Sequence, residues 1–166
     1  MKDFLASIVF GERYTNGFQS LFDELRDLNL INIGELFELA VSKHSGIAMC
    51  PRNTPNIDLV TNYQLKNSQT YPEHLLKDKM YAYISVEKTT APILAAVYER
   101  LTNKIYFFHF PPESYTYIQA NTIKIPFTNH GTPVYVPTGR AKINWWLYKL
   151  NSFDELCEIV KVPAKC

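Results

Sequence analysis

The stretch MYAYISVEKTTAPILAAVYERLTNKIYFFHF, residues 80–110, decides the fold. It holds three apolar runs, at residues 80–86, 93–98 and 104–110, rich in Tyr, Phe, Ile and Val. These residue types fit a pleated surface, and the runs are too short for helices of ordinary length. EKTTAP and ERLTN between them are turn-like. The near-continuous apolar character predicts strands buried on both faces. Pro111 and Pro112 stop the last run.

Upstream the period changes. GELFELAVSKH, residues 34–44, predicts a helix with Leu36, Phe37, Ala40 and Val41 on its apolar side. Gly46 is placed to end it. Phe18, Leu21, Phe22 and Leu25 form an earlier helical stripe. Residues 56–60 (NIDLV) and 63–69 (YQLKNSQ) read as two short strands around Thr61 and Asn62, a hairpin. Downstream, residues 114–118, 122–127 and 134–136 are short and proline-bounded, and are expected at edges or in turns. Ser152 and Glu155 form a capping box for a closing helix, with Phe153, Leu156, Cys157 and Val160 at helical spacing. The order of helices, then four or five strands, then a helix predicts an α/β (α+β) fold.

The 166 residues fit one domain and can bury a real core. With 46% hydrophobic and 20% charged residues, a disordered chain is excluded. No apolar run is long enough to span a bilayer, so no membrane partner is expected. The opening MKDFLASIVFGERY has acids on both sides of a short apolar stretch and no small-residue cleavage site, so a secretory leader is not expected. Three cysteines (Cys50, Cys157, Cys166) without metal-ligand spacing argue against a disulfide scaffold or a zinc knuckle. A cytoplasmic, intracellular setting is expected. Net charge is only +1, so bulk attraction to nucleic acid is weak, although one face can still be basic. The aromatic content reads first as filling for a β-rich core, and Trp145–Trp146 as core rather than base-stacking. His44, His74, His109 and His130 show no i, i+4 pair, and no carboxylate partner is expected for them.

The chemistry concentrates at residues 57–69. Gln64 and Lys66 share a strand face because side chains alternate. Across the turn Asp58 can lie beside them. An acid, an amide and an ammonium then meet at the end of a hairpin. That grouping suits phosphodiester hydrolysis, which needs a hard divalent cation held by few protein oxygens. Asp58 supplies a carboxylate, and either the Gln64 amide oxygen or the Leu65 carbonyl a second ligand. Lys66 would orient water or stabilise charge growing on the phosphate, an effect worth roughly 3–4 kcal/mol. The plainer alternative is a solvated hairpin, with Asp58 in a turn and Gln64 and Lys66 on the wet face of an edge strand.

Pro55-Asn56-Ile57-Asp58 followed by Gln64-Leu65-Lys66 resembles the PD-(D/E)xK nuclease signature, with glutamine at the second acid. The resemblance covers residues 34–110 and is closest to small, dimeric type II restriction endonucleases. It implies a restriction-endonuclease-like core, a central mixed sheet of about five strands flanked by helices. It also implies a single nuclease domain over residues 1–166, with its core at 34–110 and a C-terminal extension at 111–166. In such enzymes a helical glutamate joins the metal site. Glu35 matches that position, with Glu38 in reserve. The implied catalytic set is Asp58, Gln64, Lys66 and Glu35, with Asp58, Glu35, Gln64 and Leu65 at Mg²⁺, for which Mn²⁺ can substitute. Asn67, Gln69, Thr70 and Lys77, with Arg140 and Lys142, are the expected contacts to double-stranded DNA. A homodimer would double them on a palindromic site. The rival readings are a homing, phage or junction-resolving nuclease of the same fold, and a non-catalytic nucleic-acid-binding protein.

Overall fold

The computed structural model describes residues 32–70, 79–116, 121–135 and 143–165. The first helix, α1 (Ile33–Ser45), is capped by Asn32, whose side chain accepts the Glu35 N–H at 2.7 Å. Gly46, at φ 77°, ends it in the left-handed conformation that glycine adopts without a Cβ clash. Strand β1 (Gln64–Gln69) follows after a long loop, then β2 (Lys79–Ser85), β3 (Ile93–Glu99) and β4 (Lys104–Phe110). A one-turn helix α2 (Pro112–Tyr115), strand β5 (Thr122–Thr128), a 3-10 helix (Trp145–Tyr148), the short β6 (Lys149–Leu150) and α3 (Phe153–Val160) complete the described elements.

The architecture is mixed α+β. Four strands form a mixed sheet in the order β1-β3-β4-β6, with β1 parallel to β3 and the other pairs antiparallel. The expected sheet of about five strands is therefore divided: β2 and β5 pair antiparallel as a separate two-stranded sheet. The segment 122–127, expected at an edge or in a turn, is an edge strand that pairs with β2 alone among the described strands. It is a full strand with buried Ile123, Ile125 and Phe127. Pro126 is tolerated because β5 pairs with only one neighbouring strand. Of the expected segment 114–118, residues 117 and 118 lie outside the described residues and 114–116 are not extended: the proline that stops β4 sits at the start of α2, where its missing N–H costs nothing.

The four-stranded sheet separates two apolar clusters. On one face Leu65, Leu94, Ala96 and Phe107 meet Leu36, Phe37 and Ala40 of α1 and Leu156 and Val160 of α3. On the other, Ile93, Ala95, Val97, Phe108 and Phe110 meet Met80, Ala82 and Ile84 of β2, Ile123, Ile125 and Phe127 of β5, and Trp145 and Trp146. Burial of each such large side chain contributes about 1.5–3 kcal/mol. β3 is thus covered on both faces, as its apolar run predicts. The tryptophan pair is core, and residues 121–160 supply part of both clusters. Among the described residues no helix is long and apolar enough to cross a membrane.

Candidate active site

Residues 50–58 form a loop tied at its neck. Met49 and Leu59 make an isolated antiparallel bridge. The Cys50 N–H donates to the Asp58 carbonyl at 2.8 Å, and the Val60 N–H to the Ala48 carbonyl at 3.1 Å. The expected strand at 56–60 is reduced to that single bridge, because Asn56 and Asn62 take positive φ (60° and 70°) and turn the chain on either side of it. The Asp58 and Leu59 N–H groups both donate to the Tyr63 carbonyl, closing a tight reversal into β1. Tyr63 Oη donates to the Val162 carbonyl at 2.9 Å, and the Ala164 N–H to the Thr61 carbonyl at 2.9 Å. The segment after α3 therefore clamps this reversal.

Asp58 lies against the free edge of β1. Its Oδ2 accepts the Gln64 side-chain N–H at 2.6 Å and the Leu65 backbone N–H at 2.6 Å. The even residues of β1 turn their backbone groups to β3, as the Gln64 N–H to Pro92 carbonyl bond (3.0 Å) illustrates. Leu65 turns the other way, toward Asp58. On an extended residue the C=O points to the same side as the N–H, so the Leu65 carbonyl also faces this edge. Gln64 and Lys66 share a strand face. Gln64 is buried and Lys66 half-buried. Gln64 was expected to offer its amide oxygen. The amide donates an N–H to Asp58 and so orients the acid, which leaves the amide oxygen unspent.

The helical acids flank the same cleft, of about 480 Å³, lined among others by Glu35, Glu38, Arg52 and Asp58. Gly34 lets the first turn of α1 approach β1 closely: a Cβ there would stand 3.1 Å from Asn67 Oδ1. Burial, then the charges of Asp58 and Glu35, push the Glu38 carboxyl up to about 7, against a smaller opposite effect of Lys66. Asp58 is raised by burial and held back by the Leu65 N–H and by Lys66. The Glu38 carboxyl thus senses both Asp58 and Glu35, and both helical acids line the cleft.

The remaining expected contacts are less uniform. Asn67 and Gln69 are half-buried. Thr70 is fully buried: its hydroxyl donates to Glu99 Oε1 and accepts the Arg100 N–H, so it has no surface to offer a substrate. Lys77, Arg140 and Lys142 lie outside the described residues. His44 does have a carboxylate partner, Asp154, 2.8 Å away and 110 residues along the chain. Arg52 is the residue of the cleft that sequence alone does not mark. Residues 50–56 read there only as a proline-rich helix stop.

A hard divalent ion fits the chemistry of this donor set. Asp58 keeps Oδ1 after spending Oδ2 on internal donors, the Leu65 carbonyl shares its edge, and Glu38 stands by. Mg²⁺ typically takes one or two carboxylates and keeps several waters. Among the described residues no group of three or more His, Cys, Asp or Glu side chains is disposed to hold a metal ion. Compared with protein-family models, curated proteins and solved structures, the chain matches none.

The crowded acids give a pH-dependent result. The Glu38 carboxyl titrates near 7 in the folded state, against 4.5 ordinarily. Between these values the folded protein keeps a proton that the unfolded chain has released, so stability falls as pH rises through the window. After discounting for partial solvent screening, the full penalty above pH 7 is about 1–2 kcal/mol. Glu38→Gln removes it. In cation-free buffer the variant should melt higher than the parent well above pH 7, and the gap should close toward pH 4.5. Thermal melts across that range check this, and a pH-independent gap would contradict it.

Proposed function

We propose that this chain is a Mg²⁺-dependent endonuclease that hydrolyses phosphodiester bonds of double-stranded DNA, a cytoplasmic homodimer of the type II restriction class. The observation that carries the reading is the fixing of Asp58 by Gln64 and Leu65, two neighbours of Lys66 on one strand. An acid held by its own strand edge, beside a second half-buried acid and an open cleft, is what a cation-assisted hydrolysis requires. The mixed sheet with α1 and α3 against one face is compatible with a restriction-endonuclease-like core.

Asp58 Oδ1, the Leu65 carbonyl and Glu38 would hold the ion. Bound there, Mg²⁺ supplies Lewis acidity, lowering the pKa of water and shielding phosphate charge. Gln64 and the Leu65 N–H keep Asp58 in one orientation, so no reorganisation is needed as charge develops. Lys66, whose charge acts on both Asp58 and Glu38, would stabilise negative charge on the phosphate as the attacking water's oxygen bonds to phosphorus and the ester oxygen leaves.

Incubation of supercoiled plasmid with the purified chain tests this. Mg²⁺ should yield discrete products, a chelator should abolish them, and Lys66→Ala should slow cutting about a hundredfold or more. Plasmid left intact by the parent in both Mg²⁺ and Mn²⁺ would remove the nuclease reading.

A further inference from the structure

We infer that Arg52 is a phosphate-contacting residue, held at the rim of the cleft to position the DNA backbone against Asp58 and Lys66. This rests on the nuclease reading and extends it to the neck-tied loop. Three observations carry it.

First, Arg52 lines the acid-bearing cleft but pairs with none of its carboxylates. Among the described residues the ion pairs are His44–Asp154 and Lys161–Glu158, and Arg52 makes no hydrogen bond to any described residue. A guanidinium carries five donors in a planar fork that matches phosphate oxygens. Here that fork is left for a group from outside.

Second, the backbone under Arg52 is fixed. The Thr54 N–H donates to the Pro51 carbonyl at 3.1 Å, and the Thr54 hydroxyl donates to the same carbonyl at 2.7 Å. This makes residues 51–54 a β-turn, with Arg52 at its first corner and Asn53, at φ 75°, at its second. Asparagine tolerates that conformation better than most residues. A corner residue projects its side chain outward from a short, doubly held turn, so Arg52 is presented from a rigid base.

Third, the turn is registered to Asp58. Cys50, two residues before Arg52, bonds the Asp58 carbonyl directly. The arginine and the catalytic acid are therefore positioned by one closed loop rather than by two independent elements. Charge fits as well. Asp58, Glu35 and Glu38 against Arg52, with Lys66 acting on two of the same carboxylates, sum to one negative charge when all are ionised, and a divalent ion would reverse the sign. A phosphodiester is the anion such a cleft then accepts.

The test is binding rather than cutting. A short fluorescein-labelled DNA duplex is titrated with the chain by anisotropy, with Ca²⁺ in place of Mg²⁺, across about 50–200 mM salt. Arg52→Ala should bind roughly tenfold more weakly. Its dependence of log affinity on log salt should be shallower by about 0.9, one phosphate contact fewer. Arg52→Lys should restore the slope and only part of the affinity, because it keeps the charge and loses the fork. Melting temperatures should not move, since the guanidinium has no partner to lose. Parent-like affinity and slope in Arg52→Ala overturn the inference. If plasmid is cut and Arg52→Ala binds as the parent does, the phosphate contact falls alone. If plasmid is not cut but the Arg52-dependent slope is found, the nuclease reading falls and the contact stands. A parent chain that does not bind duplex DNA overturns both.

Discussion

Asp58→Asn is expected to slow plasmid cutting about a thousandfold or more, since a metal ion contributes several kcal/mol to such a reaction. It should do so with little loss of fold. The parent carboxylate spends Oδ2 on the Gln64 and Leu65 donors and keeps Oδ1 for the cleft. Asparagine has one acceptor oxygen. If that oxygen stays on the internal donors, the NH₂ group faces the cation and repels it. If it turns to the cleft, two donors lose their acceptor. The first arrangement costs less, because a buried unsatisfied N–H costs about 1–3 kcal/mol. The discriminating measurement is the rise of melting temperature with Mg²⁺. At a hundred times the dissociation constant the parent should gain about 2.7 kcal/mol. The variant should gain close to nothing while melting near the metal-free parent. An undiminished Mg²⁺ response in Asp58→Asn would place the ion elsewhere.

The largest loss of stability should come from the far end of β3, away from the cleft. Glu99 is fully buried, yet its carboxylate is completely engaged. Oε1 accepts the Thr70 hydroxyl at 3.2 Å and the Leu101 N–H at 2.9 Å. Oε2 accepts the Thr102 N–H at 2.6 Å and the Thr102 hydroxyl at 2.5 Å. These bonds hold the β3–β4 turn and tie it to the end of β1. Glu99→Ala leaves the buried Thr70 hydroxyl and the partly buried donors of Leu101 and Thr102 without their acceptor and opens a void. About 1–3 kcal/mol of stability should be lost for the stranded donors, with the void adding to it, read as a drop in the urea midpoint at unchanged slope. Gly131 packs against the same carboxylate: a Cβ there would lie 2.6 Å from Glu99 Cδ, at a φ of 80°. Gly131→Ala should therefore be costly too, by about 2–4 kcal/mol. A midpoint shift below about 1 kcal/mol for Glu99→Ala would mean that water replaces the lost acceptor.

The two kinds of effect differ in how visible they are from sequence. Strands β2, β3 and β4 and helices α1 and α3 are legible because each carries its own pattern: a short β-branched and aromatic run, or a capped apolar stripe. Sheet membership is not. β1 skips β2 and pairs parallel with β3, and the exchange of partners is decided by which apolar faces meet, not by any local period. In the candidate site, Asp58, Gln64 and Lys66 stand out because a two-residue reversal and strand alternation bring them together by short-range geometry. Glu35 and Glu38 could not be separated, since a spacing of three puts both on one side of a helix. The return of the loop brings Asp58 to the cleft that both of them line. Glu99 gives no signal at all, because its donors come from Thr70, 29 residues away, and from the turn after it. The His44–Asp154 pair is equally silent for the same reason.

The bridge between Met49 and Leu59 has a corollary for substitution. It joins the ends of residues 51–57 behind Asp58, so an exposed position at the loop tip such as Arg52 can be changed without untying the reversal that presents the acid. Changes at the loop tip thus act on the rim of the cleft alone, while the knot behind it keeps Asp58 in register with its strand.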